Sequence, residues 1–293
     1  MADFPFYGVG TALITPFHDD GSIDFDALGR LIDYQIAHHA DALVILGTTG
    51  EASTLTDEER EAVIRFSVSR VKGRIPVIVG AGSNDTAHAA ALARSASSLG
   101  ADALLVVTPY YNKTSPAGLI AHFSAVADAS EAPVILYHVP SRTGVKIPFS
   151  VFEALASHPK IVGVKEASGD LPLAARILGR LPLHVWSGND ELTVPLLSLG
   201  GSGVISVLSN VAPDAVHELC RAMAENRLAD AARGQVALMP LIDALFADVN
   251  PIPVKAAAAM MGFCGETVRL PLVPPDAGVR SALASAMREA GLI

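Results

Sequence analysis

Short runs rich in β-branched residues alternate with alanine-rich stretches along most of the chain, and this alternation restricts the fold more than any other feature. Strand, helix, strand is the pattern of βαβ units, whose strands lie parallel. Eight strands are predicted: Gly10 to Thr15, Ala42 to Leu46, Pro76 to Gly80, Ala103 to Thr108, Pro133 to Val139, Ile161 to Ala167, His184 to Ser187 and Gly203 to Val207. Helix starts lie between them. Asp24 or Asp26 offers a cap ahead of Leu28, Leu31, Ile32 and Ile36, and Thr56-Asp57-Glu58-Glu59 reads as a capping box opening a helix through Val71. Eight such units within about 210 residues suit a closed (β/α)8 TIM barrel better than an open doubly wound sheet. The expected architecture is α/β, with the barrel over residues 1–230 and an appended C-terminal helical region over 231–293. That region is interrupted at Asn250-Pro251-Ile252-Pro253 and again from Pro271 to Pro275.

Composition bounds the function. Apolar residues make up 51% of the 293 and mean hydropathy is +0.40, yet no stretch reaches the roughly 20 apolar residues that span a bilayer. The surplus is assigned to a core and to subunit interfaces. Met1 to Tyr7 lacks the basic and apolar segments of a secretory signal, so a cytoplasmic location is expected. Net charge is −9 without a lysine or arginine run, which argues against nucleic acid and anionic membrane as partners. A small anionic substrate is still compatible, because local cations can hold it. Cys220 and Cys264 are far apart, and none of the nine histidines falls in a metal-ligand pattern, so no metal is expected. The pair His38-His39 reads as a solvated helix end.

One lysine stands out. Ile161-Val162-Gly163-Val164-Lys165-Glu166-Ala167 is an apolar run, the signature of a buried parallel strand, with Lys165 near its far end. Taking an ammonium out of water disfavours its charged form, and a neutral amine attacks carbonyls to give a Schiff base. Alternatively Lys165 pairs with a carboxylate. Glu166 is not that partner, because neighbours along a strand point to opposite faces.

In such barrels the active site lies where the strands end. Strand two ends in Gly47-Thr48-Thr49-Gly50-Glu51, either a tight turn or a carboxylate cradle of hydroxyls and amides. Strand five carries Tyr137, which can move protons or fill the barrel, and Arg142 follows it, suited to a substrate carboxylate or to a loop salt bridge. Tyr110-Tyr111 after strand four can form a lid or plug an interface. Gly200-Gly201-Ser202-Gly203 precedes a strand and lacks G-K-[ST], so it is a turn and not a phosphate loop.

Together, Gly47-Thr48-Thr49-Gly50-Glu51, Thr108-Pro109-Tyr110-Tyr111-Asn112, Pro140-Ser141-Arg142-Thr143-Gly144, Val164-Lys165-Glu166-Ala167 and Asn250-Pro251-Ile252-Pro253-Val254-Lys255 resemble the dihydrodipicolinate synthase and N-acetylneuraminate lyase family of Schiff-base aldolases. The similarity covers nearly the whole chain and is strongest to the dihydrodipicolinate synthase branch. It implies an imine between Lys165 and pyruvate, condensation with L-aspartate 4-semialdehyde, a place in lysine and diaminopimelate biosynthesis, and no cofactor beyond the covalent imine. It further implies that Tyr137, Thr49 and Tyr111 relay protons and that Thr48 and Thr49 hold the pyruvate carboxylate. Arg142 is then the grip on the second substrate, with the carbonyls of Gly188 and Ile205 facing the site. By the same resemblance Tyr111 crosses a dimer interface and dimers pair into a homotetramer. Two departures stand out. His138 replaces the family's usual asparagine, facing away from Tyr137. An effector pocket of Ser53, Asn84, His88 and Tyr110 has His88 where lysine-inhibited members carry an acid, and Arg60 where they carry a histidine, so weak or absent lysine inhibition is expected. Another pyruvate aldolase, acting on sialic acid or a 2-keto-3-deoxy sugar acid, is the alternative enzyme. An idle binding barrel is the alternative outside enzymes.

Overall fold

The computed structural model describes residues 6–293 and closes eight parallel strands into a barrel in sequence order. They are β1 (Gly8–Ala12), β2 (Ala42–Ile45), β3 (Val77–Gly80), β4 (Ala103–Val107), β5 (Val134–His138), β6 (Ile161–Glu166), β7 (His184–Ser187) and β8 (Gly203–Ser206). Closure comes from β1 pairing with β8, Gly8 opposite Gly203 through Thr11 opposite Ser206.

Alternation along each strand sorts side chains into two layers. Ala42, Val44, Ile78, Leu105, Ile135, Tyr137, Trp186 and Ile205 form the cluster inside the barrel. Leu43, Ile45, Val77, Val79, Leu104, Val106, Leu136, Val164, Val185 and Val204 face outward, into the layer shared with the helices. Strands buried on both faces explain why the runs read as continuously apolar. Phe6, just ahead of β1, stacks on Trp186 with ring centroids 5.3 Å apart.

Most strands fall where the sequence places them; the first begins earlier and ends at Ala12. Gly8 adopts φ 102, and its amide donates to the Ser202 carbonyl at 2.9 Å, so the ladder starts before the β-branched run. Leu13 makes the last bond to β2, its amide donating to the Val44 carbonyl at 3.0 Å, and the next two residues turn to loop partners: Ile14 N–H donates to Asn210 Oδ1 and the Thr15 hydroxyl to the Gly50 carbonyl.

Helix α1 (Phe25–Ala37) is capped by Asp24, whose side chain accepts from the Ala27 amide, while Asp26 sits in its first turn. Helix α2 (Asp57–Val71) opens on the expected capping box of Thr56 and Glu59. Helices α3 (Thr86–Ser98) and α4 (Pro116–Asp128) follow β3 and β4, and four residues, Pro140–Thr143, form the helical turn α5 directly after β5, with α6 (Phe149–Leu155), α7 (Leu171–Arg180) and α8 (Thr193–Ser198) completing the ring before β8. After β8 come α9 (Pro213–Ala224), α10 (Leu228–Leu245), α11 (Ile252–Met260) and α12 (Ala277–Glu289). Helix α9 covers β1 and β8's exit, and α10, α11 and α12 pack on one another. Position 230 lies inside α10.

Candidate active site

The register sets Tyr137 on β5 beside Lys165 on β6, and Lys165 beside Trp186 on β7. All three side chains lie in the barrel. Lys165 is 5% exposed and Tyr137 7%, and the Lys165 Nζ lies 4.5 Å from the centre of the Tyr137 ring. A β-carbon added at Gly188, just past β7, would stand 3.0 Å from Lys165 Cε and 2.6 Å from the Ala167 Cβ. That position therefore admits only glycine while Lys165 keeps its place. Ile205 is fully buried on the inner face of β8.

The loop after β2 brings the threonines to the same end. Leu46 turns it with φ 55, and Gly80 makes room, since a β-carbon there would meet the Leu46 carbonyl at 1.9 Å. Within the turn, the Gly50 and Glu51 amides donate to the Gly47 and Thr48 carbonyls at 3.1 Å. The Thr48 and Thr49 amides donate to no acceptor among the described residues. Such a pair of free donors suits a carboxylate. Thr49 is buried, and its Oγ1 accepts from Asn250 Nδ2 at 3.0 Å. The Asn250 carbonyl in turn accepts from Arg142 Nη2 at 3.1 Å, aligning the guanidinium over the barrel mouth.

A cavity of about 400 Å³ opens there, and Thr48, Tyr137 and Arg142 form part of its wall. Lys165 lies behind that wall, its amine against the Tyr137 ring. Ser53, Asn84, His88 and Tyr110 line the same cavity, so the four residues of the expected effector pocket are brought together. His88 Nε2 sits 3.1 Å from both Asp57 carboxylate oxygens. Arg60 is buried at the floor, donating to the Ala52 and Gly80 carbonyls at 2.9 and 2.7 Å. Burial pulls its pKa below the ordinary arginine value, and Asp57 opposes that pull.

Tyr111 is the one expected catalytic residue that a single chain does not bring to Lys165. The loop after β4 throws it outward with φ 69, leaving it 92% exposed. His138 faces the opposite layer from Tyr137, as alternation requires. Its Nε2 accepts from the Ile147 amide at 3.2 Å, so Nδ1 carries the proton and donates to Glu166 Oε2 at 2.8 Å. Glu166 is thus the partner of His138, and among the described residues no carboxylate pairs with Lys165.

Sequence reasoning missed the residues that hold the threonine loop. Glu51, with φ 52, directs its carboxylate at Lys255 Nζ (2.6 Å) and accepts the Arg269 amide (2.9 Å). Arg269 also grips the Thr54 carbonyl at 2.7 Å and Glu59. The available signal was a lysine inside the apolar, alanine-rich stretch Ile252-Pro253-Val254-Lys255-Ala256-Ala257.

The Dihydrodipicolinate synthetase family model matches residues 5–290. The chain belongs to the dihydrodipicolinate synthetase family. Over 288 residues, 98% of each chain, it is 48% identical to a 4-hydroxy-tetrahydrodipicolinate synthase of Caldicellulosiruptor bescii. A dihydrodipicolinate synthase structure from Thermotoga maritima superposes with a TM-score of 0.96 at 42% identity, covering 99% of this chain and 100% of the other. The chloride-inhibited Acinetobacter baumannii enzyme, complexed with pyruvate, superposes with a TM-score of 0.96 at 41% identity, covering 98% and 100%. Family membership explains why Lys165, Tyr137 and the threonine loop meet at one point.

Proposed function

We propose that the chain is a 4-hydroxy-tetrahydrodipicolinate synthase, a lyase that condenses pyruvate with L-aspartate 4-semialdehyde in lysine and diaminopimelate biosynthesis. The observation that carries this reading is Lys165, buried over the Tyr137 ring and against Gly188, with no carboxylate partner among the described residues. Once it has given up a proton, the amine adds to the pyruvate keto carbon, and loss of water gives the imine. A proton leaves the methyl carbon to form an enamine, whose carbon attacks the semialdehyde. The second substrate's amine then attacks the imine carbon, closing the ring and releasing Lys165.

Thr48 and Thr49 amides hold the pyruvate carboxylate, and Arg142 holds that of the semialdehyde. The Gly188 and Ile205 carbonyls face the reacting carbons. Tyr137, Thr49 and Tyr111 carry protons between steps, since water supplies them poorly in a closed pocket. Tyr111 performs this from a second copy, in a homotetramer built as a dimer of dimers; its outward φ 69 loop supports that reading. Pyruvate and the semialdehyde are the small-molecule partners, and the covalent imine replaces any cofactor or metal. Among the described residues no helix is long and apolar enough to cross a membrane; the cytoplasm is the proposed location of the reaction. In the effector pocket Arg60 repels an ammonium and His88 offers no acid to hold one, so lysine inhibits weakly or not at all; half-inhibition at sub-millimolar lysine overturns that part.

Borohydride with pyruvate should leave one reduced adduct, on Lys165. An unmodified protein overturns the proposal. Coupled assays with other aldehyde acceptors should give far lower kcat/KM than the semialdehyde.

A further inference from the structure

A second buried lysine has no part in that chemistry. Lys255 on α11 is 0% exposed and Glu51 2% exposed at the side chain, with Nζ and Oε1 2.6 Å apart. Lys255 Nζ also donates to the Thr267 carbonyl at 2.7 Å and lies 3.8 Å from the Phe17 ring centre. Its nitrogen is therefore fully occupied and closed to pyruvate. Replacing a buried ion pair by apolar groups is commonly neutral or stabilising, so fold stability alone is a poor reason for this one. What the pair touches suggests another. Glu51 follows Thr49 by two positions, in a left-handed conformation that a side chain adopts only when its surroundings compel it. Both carboxylate oxygens are engaged by the C-terminal region, Oε1 by Lys255 and Oε2 by the Arg269 amide. Arg269 grips Thr54 at the far end of the same loop, and Asn250 holds Thr49 itself.

We infer that Glu51 and Lys255 are positioning residues that fix the Thr48–Thr49 amides for the pyruvate carboxylate, so the C-terminal helices set substrate capture from outside the barrel. This rests on the proposed pyruvate chemistry. The test uses the full chain with both charges removed together, Glu51→Gln with Lys255→Met, so that neither is left buried alone. Borohydride trapping across a pyruvate series reads imine formation without turnover. The pyruvate concentration for half-maximal trapping should rise about tenfold or more, as displacement of a positioning group does. The KM for the semialdehyde should stay near that of the unaltered chain, a split that general loosening would not give. Should the double variant not fold, Glu51→Gln alone is measured in the same way. An unaltered chain that pyruvate and borohydride do not modify overturns the catalytic reading and this inference with it. A trapped unaltered chain and a folded variant trapped at the same pyruvate concentration overturn this inference alone.

Discussion

At the scale of single residues, the site separates a side chain's bulk from its chemistry. Tyr137→Phe keeps the ring beneath the Lys165 amine while deleting the hydroxyl. Imine trapping should persist, and kcat in a coupled steady-state assay should fall about 100-fold, the scale of one lost proton-transfer group. Gly188→Ala does the reverse, leaving every functional group and pushing a methyl toward Lys165 Cε at 3.0 Å. His138 faces the helix layer and not the Lys165 amine, so its loss is expected to act on stability. His138→Ala leaves the buried Glu166 oxygen without its imidazole donor and opens a gap beside Phe152. We expect a loss of about 3 kcal/mol in urea unfolding, the upper range for a hydrogen bond to a buried charge.

Among the elements, the strands were legible because burial on both faces leaves an unbroken apolar run, and α2 because Thr56 and Glu59 spell its cap. The first strand was displaced because β-branched Thr11, Ile14 and Thr15 suggest a later start, whereas Gly8 enters the ladder by virtue of having no side chain. The threonine loop looked like a turn, which it is; its anchoring was illegible because Arg269 lies 218 positions from Glu51. No local pattern encodes such a pairing. The anchor has a pH signature. The Arg269 hydrogen bonds hold Glu59 below the ordinary carboxylate range. A carboxylate with a lowered folded pKa stabilises fully above its unfolded value of about 4.3 and loses that contribution as pH falls through the folded value. Tm measured from pH 6 down to pH 3 should therefore drop less steeply in Arg269→Met, whose Glu59 loses the largest pull on its folded value.

For the whole molecule, the alternating runs foretold a closed barrel, and the ends of strands five and six foretold that Tyr137 and Lys165 lie side by side within it. Tyr111 stands 92% exposed and away from Lys165, so its share in the site rests on the proposed second copy. Mixed Tyr111→Phe and Lys165→Ala chains, each inactive, should regain measurable activity after subunit exchange if one copy completes the other's site. No recovery despite exchange confirmed by mass spectrometry counts against a shared site. Further apolar side chains stand outside the core, Val236 at 70% exposure and Leu270 at 78%, where they can serve such association.

The ion pair between Glu51 and Lys255 also has a consequence in time. A ribosome makes Lys165 and all eight strands before it makes Asn250, Lys255 and Arg269. A nascent barrel therefore carries its reactive amine before the loop that presents a keto acid to it is fastened. Arrested or clipped translation products would hold the nucleophile in an unfinished cradle, and the chemistry would switch on only as the last helices dock.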